Sequence, residues 1–407
     1  MYAVGKREQG TGQERLRRTE PSVNIPRRRL KEAAQRERSG GMKGIEKEER
    51  QRLGRLLESR SQEEVMAMIP AFSAVETGSF TEKTQAVPAE TAGALVFNIE
   101  RGVNLEETID FLRYSEEIRP FDIILANELD DGMLRSGDRC IAREIAEAVG
   151  LNYAWGLEFI ELANPEEPKG LHGNAVFSRF PIIWAETFRL PEENNWYFDR
   201  QKRIGGRNAI FAKLDMGGKT VGAVSIHLEN RTDGPGRRRQ IRAILDEAER
   251  VFPGIPVIMG GDLNTNTFDG RSIPAIQFLS EHVSLLEDQI RHVEEYEPCL
   301  QDFLKAGYDW REASWDRSAL RQGIKKLDTT GTRRKPLPDG SDLLLRLDWL
   351  LPRGFRVLDS RTVSTLAKDC GFAPEGSALA SFGKKELSDH NAVWALLEIA
   401  DSGEALN

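Results

Sequence analysis

The chain has little sulfur and no long apolar run. Three cysteines in 407 residues, Cys140, Cys299 and Cys370, are too few, and odd in number, for a disulfide framework; they suit a reducing cytoplasm. No stretch approaches the ~18 consecutive apolar residues that a membrane-spanning helix needs. The opening residues, MYAVGKREQG, lack the apolar core of a secretory signal. No internal repeat is present. What remains, 39% hydrophobic and 30% charged, is the composition of an ordinary globular protein. The length suggests two or three domains, although large α/β folds reach this size as one unit.

Charge is unevenly spread. Residues 1–41 hold eleven Lys or Arg against five Glu, a net of +6, with few apolar residues. Such a segment cannot bury enough surface to offset its ordering entropy and is expected to be a disordered basic arm. It reads either as a contact for nucleic acid or anionic lipid, or as untranslated sequence upstream of a start at Met42. Because the whole chain carries −8, residues 42–407 carry −14, which argues against a tight, nonspecific grip on a DNA backbone. Residues 42–90 read as a helical extension over Lys43–Val75 and a polar linker over Thr77–Thr91.

The informative stretch is Pro256–Asn264, PVIMGGDLN. An apolar run into two glycines can bury a strand on both faces and let its backbone pass close to a neighbour. It delivers Asp262, a base or ligand, and Asn264, a neutral donor and acceptor, onto a turn. The pair suits an anionic substrate held near a metal, but it would equally serve an Asx turn. Repetition separates the two readings. ALVFNIE ends in Asn98, FDIILANE in Asn127 and Glu128, and VGAVSIHL in His227. RLDWLL embeds Asp348, and Ser388-Asp389-His390 precedes the last apolar run. Six turns would draw more on Gly, Pro and Ser and much less on His.

In this order, Asn98, Glu128, His227, the Gly-Asp-Leu-Asn at 261–264, Asp348 and the Ser-Asp-His at 388–390 resemble the endonuclease/exonuclease/phosphatase superfamily over about three quarters of the chain. That superfamily includes deoxyribonucleases, abasic-site endonucleases, neutral sphingomyelinases and inositol polyphosphate phosphatases. The resemblance implies a four-layer α/β/β/α sandwich of two mixed sheets with outer helices over residues 91–402. It implies Mg²⁺, with Mn²⁺ as a substitute, held by Glu128 with Asn98 and Asp389. Asp262 would orient and deprotonate the attacking water. Asn264, His227 and Asn174, the last in a Gly-Asn-Ala strand at 173–175, would neutralise phosphoryl oxygens. His390 would approach from the other side, its charge fixed by Asp348. The His-Leu at 227–228 leans toward deoxyribonuclease-like and sphingomyelinase-like members, and no counterpart of the abasic-site tyrosine is present.

The expected activity is Mg²⁺-dependent hydrolysis of a phosphodiester or phosphomonoester, with a small molecule or lipid headgroup favoured as substrate. The alternative is a DNA or RNA nuclease, supported by the basic arm and a cluster at Arg321, Lys325, Lys326, Arg333, Arg334 and Lys335. A catalytically idle binding module is a third reading, which the intact residue set disfavours. Arg135 and Arg139, the arginines at 237–242 and the aromatics of EENNWYFDR could each touch substrate or simply be solvated or packed. His172 reads as structural or exposed.

Overall fold

The apolar runs of the sequence become strands of two sheets, and the polar residue ending each run arrives at one edge. The computed structural model describes residues 41–81, 89–199, 201–265, 281–316 and 345–400 except 372 and 384, with isolated positions between 272 and 278. The basic arm and the cluster at 321–335 lie outside the described residues. Eight strands form the first sheet: β1 (Val75–Ser79), β2 (Thr91–Arg101), β3 (Ile123–Asp131), β4 (Asn152–Glu161), β5 (Leu171–Ser178), β7 (Arg203–Gly205), β12 (Phe355–Val363) and β13 (Ala392–Ile399). Five form the second: β6 (Ile182–Arg189), β8 (Asn208–Asp215), β9 (Thr220–His227), β10 (Val257–Asp262) and β11 (Asp348–Arg353).

The first sheet runs β1-β4-β5-β3-β2-β13-β12, with β7 paired to β4; the second runs β11-β10-β9-β8-β6. Each is mixed, with a single parallel pair, β2 with β3 and β9 with β10. Parallel neighbours end at the same edge, so Asn98 and Asn127 are level in the first sheet, and Asp262 is level with His227 in the second. The antiparallel partner β11 brings Asp348 level with Asp262 as well.

Strand alternation builds three apolar layers. Val96, Leu125 and Val176 of the first sheet meet Ala223, Ile258 and Leu350 of the second between the sheets. The alternate residues face outward: Leu95 and Phe97 toward the helices Leu105–Tyr114 and Ile141–Val149, Val257 and Met259 toward the helix Gly234–Val251. Each fully buried Leu, Ile or Phe contributes about 1.5–3 kcal/mol of burial. The helix Gly234–Val251 starts at Asp233, whose side chain accepts from the Gly236 N–H at 2.9 Å, with Pro235 in its first turn. It buries Ile241, Ile244, Leu245 and Ala248 at helical spacing.

The segment preceding β2 contributes more than helices. Lys47–Leu57 and Gln62–Met66 are helical and bury Leu53, Leu57 and Val65 in the first outer layer. Beyond them, Val75–Ser79, which spans the start of the stretch read as a linker, pairs antiparallel with β4 as the edge strand. VETGS is short and half-exposed, so its pairing left no alternation to read. Of the long connection after Asn264, the described part includes the helices Val283–Arg291 and Cys299–Lys305. A fully buried ion pair, Arg237 with Glu297, anchors it to the helix Gly234–Val251.

Candidate active site

The polar strand ends converge along that common edge. Gly261 makes the approach possible: with φ at +145°, a Cβ here would lie 1.9 Å from the Ile226 carbonyl oxygen of β9. Asp262 follows, with 2% of its surface exposed. Its backbone N–H donates to Asn127 Oδ1 at 2.8 Å, a bond between the two sheets. Its Oδ1 accepts from the Asn264 N–H at 2.9 Å, and its Oδ2 from Asn98 Nδ2 at 3.1 Å. The same Oδ2 lies 3.6 Å from His227 Nε2 and 3.8 Å from His390 Nε2. Burial, and then the charge of Asp348, push the Asp262 carboxyl above the ordinary carboxylate range against the pull of the two imidazoles.

Glu128 is presented by distorted backbone. Its φ is +58°, and the register of β3 against β5 slips between Ala126 and Leu129, a bulge that re-aims the side chain. Its N–H donates to Asn174 Oδ1 at 3.2 Å, and the carboxylate lies 3.4 Å from Asn98 Nδ2 and 3.7 Å from Arg101. Burial alone would raise its pKa, but Arg101, His172, His227 and His390 together hold the carboxyl well below the usual range. Asn98 thus bridges Glu128 and Asp262 through one amide, its Oδ1 accepting from the Glu100 N–H at 3.1 Å.

His390 Nδ1 and Asp348 Oδ2 are 2.7 Å apart, and Asp348 is fully buried. Burial would lower the imidazole, but Asp348 and Asp262 raise it well above its ordinary value, which favours its charged form. The Ser388 hydroxyl fixes the loop, donating to the Asn98 carbonyl at 2.6 Å and accepting from the His390 N–H at 3.1 Å. Asp389 donates its N–H to Glu100 at 3.1 Å and keeps a third of its side chain exposed, 3.9 Å from His390 Nε2.

His227 is held by residues that sequence reasoning did not single out. Glu158 of β4, fully buried, places Oε2 3.1 Å from His227 Nδ1 and Oε1 3.0 Å from Arg207. Arg207 Nη1 lies 3.0 and 2.9 Å from the two His227 ring nitrogens. Behind them His172, buried and not exposed, bonds Asp130 at 2.7 Å, and Asp130 pairs with Arg135. The signal for Glu158 was available: one acid inside the apolar run YAWGLEFI, as Asp348 is inside RLDWLL.

The structure brings Asp262, Asp348, His390, His227, Glu128 and Asn98 into one connected group, with Asp389 at its exposed edge. Asn264 adjoins it through its backbone N–H, while its side-chain amide donates to the Leu228 carbonyl at 3.0 Å. Asn174 is buried; its Nδ2 donates to Asn208 Oδ1 at 2.6 Å, and its Oδ1 accepts from Asn127 and Glu128. In this arrangement it braces Glu128. The other candidates lie elsewhere: Arg237 pairs with Glu297, Arg238 and Arg242 with Asp302, Arg239 with Glu193, and Arg139 with Glu144 and Glu106. Trp196 and Tyr197 are buried, and Phe198 is exposed.

Asp262, Asp348 and His390 present ligand-type atoms within 4.8 Å of one another. A protonated imidazole donates and cannot ligate, so this trio reads as a hydrogen-bonded acid–base chain. The better donor set for a hard divalent cation is Glu128, ionised and partly exposed, with Asp389, exposed by a third next to His390, as a second carboxylate. Asn98 now turns nitrogen to both carboxylates, and its oxygen would reach a cation only by turning the amide over. The residues fit such an ion on the chemistry of this oxygen set.

No curated protein matches the sequence. Among solved structures, the fold is similar to an endonuclease/exonuclease/phosphatase from Beutenbergia cavernae, 16% identical over 78% of this chain and 74% of that one, with a TM-score of 0.48. It is also similar to truncated Caenorhabditis elegans TDP2, 15% identical over 76% and 97%, TM-score 0.43. A third is a Bacteroides thetaiotaomicron mannosyl-6-phosphatase, 14% identical over 75% and 99%, TM-score 0.44. The model of the Endonuclease/Exonuclease/phosphatase family matches residues 95–390, from β2 through His390, and to that family this chain belongs.

Proposed function

We propose that the chain is a Mg²⁺-dependent phosphoesterase that hydrolyses a phosphodiester, or a phosphomonoester, by in-line attack of an activated water. The observation that carries this reading is the geometry: one Asn98 amide joins Glu128 to Asp262, and Asp262 Oδ2 lies 3.6 and 3.8 Å from the Nε2 atoms of His227 and His390. Glu128 is held ionised, as a cation ligand must be, and Asp262 is pushed toward protonation, as a base must be. Glu128, Asp389 and Asn98 would hold the cation, which supplies charge neutralisation on the phosphoryl oxygens.

The chain's own groups supply the rest. Asp262, locked at Oδ1 by the Asn264 N–H, accepts the water proton at Oδ2. His390, charged through Asp348, donates Nε2–H to a phosphoryl or leaving oxygen, and His227, oriented by Glu158, donates from the neighbouring strand end. Anionic phosphoryl groups repel anionic nucleophiles, so donors on both sides of Asp262 are what the reaction requires. The three free cysteines support a cytoplasmic setting, and no helix among the described residues is long and apolar enough to cross a membrane.

The test is hydrolysis of bis-p-nitrophenyl phosphate in Mg²⁺ and in EDTA, with p-nitrophenyl phosphate, plasmid DNA and sphingomyelin alongside. Cleavage that needs Mg²⁺ and is lost in Asp262→Asn is the expected result. Activity retained in that variant would show that the base lies elsewhere. Cleavage of plasmid DNA alone would replace the small-substrate reading with a nuclease.

A further inference from the structure

Three guanidiniums crowd one indole beside the site. Arg203, Arg207 and Arg231 lie 4.4, 5.4 and 5.9 Å from the Trp196 ring centre. Two have counterions: Arg207 lies 3.0 Å from Glu158 and 3.5 Å from Glu229, and Arg231 lies 3.7 Å from Asp199. Arg203 has no carboxylate in ion-pair reach among the described residues. Its polar partner is the Gln201 side-chain oxygen, and its Nε is buried without a partner. Its flat face rests on Trp196 and on Phe159, 4.7 Å from that ring centre.

Ring faces offset only part of the solvation a half-buried cation loses. Burial, and then the like charge of Arg207, push the Arg203 pKa down to about 10, so it stays charged at neutral pH. The charges of Glu158 and Glu128 act on it, which places it within the field of the candidate active site. A charged group kept here without a counterion costs stability, and an arriving anion would offset that cost.

We propose that Arg203 is the docking point for a second phosphate of the substrate, carried beside the phosphate ester that is cleaved. This rests on the phosphoesterase reading of the same site and narrows its substrate class. The Arg203 guanidinium lies over both Phe159 and Trp196, which pack edge to face at 5.6 Å. Nη2 is held by Gln201 and Nε is buried, so Nη1 is the donor that Arg203 can offer a phosphate oxygen. Arg207, which touches His227, shares the Phe159 and Trp196 rings with Arg203, so the second phosphate would dock near the first. A nucleotide and an inositol phosphate headgroup both present this chemistry.

The experiment is calorimetric titration of the full chain in Mg²⁺ with two ligand pairs, phosphate release being followed in parallel. One pair is thymidine 5′-phosphate and thymidine 3′,5′-bisphosphate; the other is inositol 1-phosphate and inositol 1,4-bisphosphate. In at least one pair the bisphosphate should bind about 10- to 100-fold more tightly, the worth of one charge-assisted contact. The pair that shows the advantage identifies the source. Arg203→Gln should abolish the advantage and leave the monophosphate affinity unchanged; Arg203→Lys, which keeps the charge but not the stacked fork, should retain part of it. Should the glutamine variant fail to fold, the lysine variant decides, and an undiminished advantage there refutes the proposal. Equal affinities within both pairs, an advantage that survives in Arg203→Gln, or an equal loss for both members would each overturn it. A bisphosphate advantage without phosphate release would leave the docking point standing and refute the phosphoesterase reading instead.

Discussion

Replacing Glu158 by glutamine removes one buried charge and keeps the shape. The carboxylate lies 3.0 Å from Arg207, 3.1 Å from His227 and 3.8 Å from His172. Burial alone would raise its pKa, but His227, Arg207 and His172 pull it from the ordinary 4.5 down to about 2. At about 1.4 kcal/mol per pH unit, that gap is worth about 3 kcal/mol. A carboxyl with a depressed pKa contributes stability that is fully present above 4.5 and is lost as pH falls toward 2. Glu158→Gln should therefore lower urea stability by about 3 kcal/mol at neutral pH, with the difference from wild type narrowing across that acid window. Arg207 keeps Glu229 at 3.5 Å, so the variant should still fold. With a neutral amide against its Nδ1, His227 loses the group that orients it, and phosphodiester hydrolysis should fall about 100-fold. Equal stability at neutral pH, or a deficit that does not shrink in acid, would refute the electrostatic account of this cluster.

Asp348→Asn leaves burial acting on His390 with Asp262 and Asp389 as its remaining counter-charges, so the imidazole titrates at lower pH. Hydrolysis should fall about 10³- to 10⁴-fold, and its alkaline limb should move to lower pH in a pH–rate profile. Gly261→Ala should destabilise by at least about 2 kcal/mol in thermal or urea unfolding, because the new methyl meets the Ile226 carbonyl and φ is +145°. Asn127→Asp sets oxygen against Asn174 Oδ1 at 3.2 Å and the Ile226 carbonyl at 3.1 Å; a loss of about 2–5 kcal/mol by denaturant titration is expected.

The candidate site was legible to the extent that its residues end apolar runs. Asn98, Glu128, His227, Asp262 and Asp348 each break a hydrophobic pattern, and a polar group at a buried strand end has few structural uses. Residues that work from inside a strand were not legible in the same way. Glu158 breaks its run as Asp348 does, but its partners Arg207 and His227 come from other parts of the chain, and Asn208 of β8 meets Asn174 of β5 across the sheets. Asn127 ends the same run as Glu128 and suggests no role of its own there, yet its amide ties β3 to β9 and β10. Arg207 carries no local signal; only the fold brings it to His227. Sheet order was unreadable for the same reason, since β13, last in the chain, pairs with β2.

The four asparagines explain why so many acids can share one edge. Asn98, Asn127, Asn174 and Asn208 each donate and accept, and they connect strand ends without adding charge to a group that already holds Glu128, Asp262, Asp348 and Glu158. With acids in their place, like charges would neutralise one another by protonation, and no carboxylate could keep a role of its own. With amides, each carboxylate is set by its own neighbours. Glu128, at the solvent edge beside Arg101, stays ionised, whereas Asp262, buried beside Asp348, is driven toward protonation. A single Asn98 amide links the two at 3.4 and 3.1 Å, so the proposed ligand and the proposed base are held in fixed register while their proton affinities move apart.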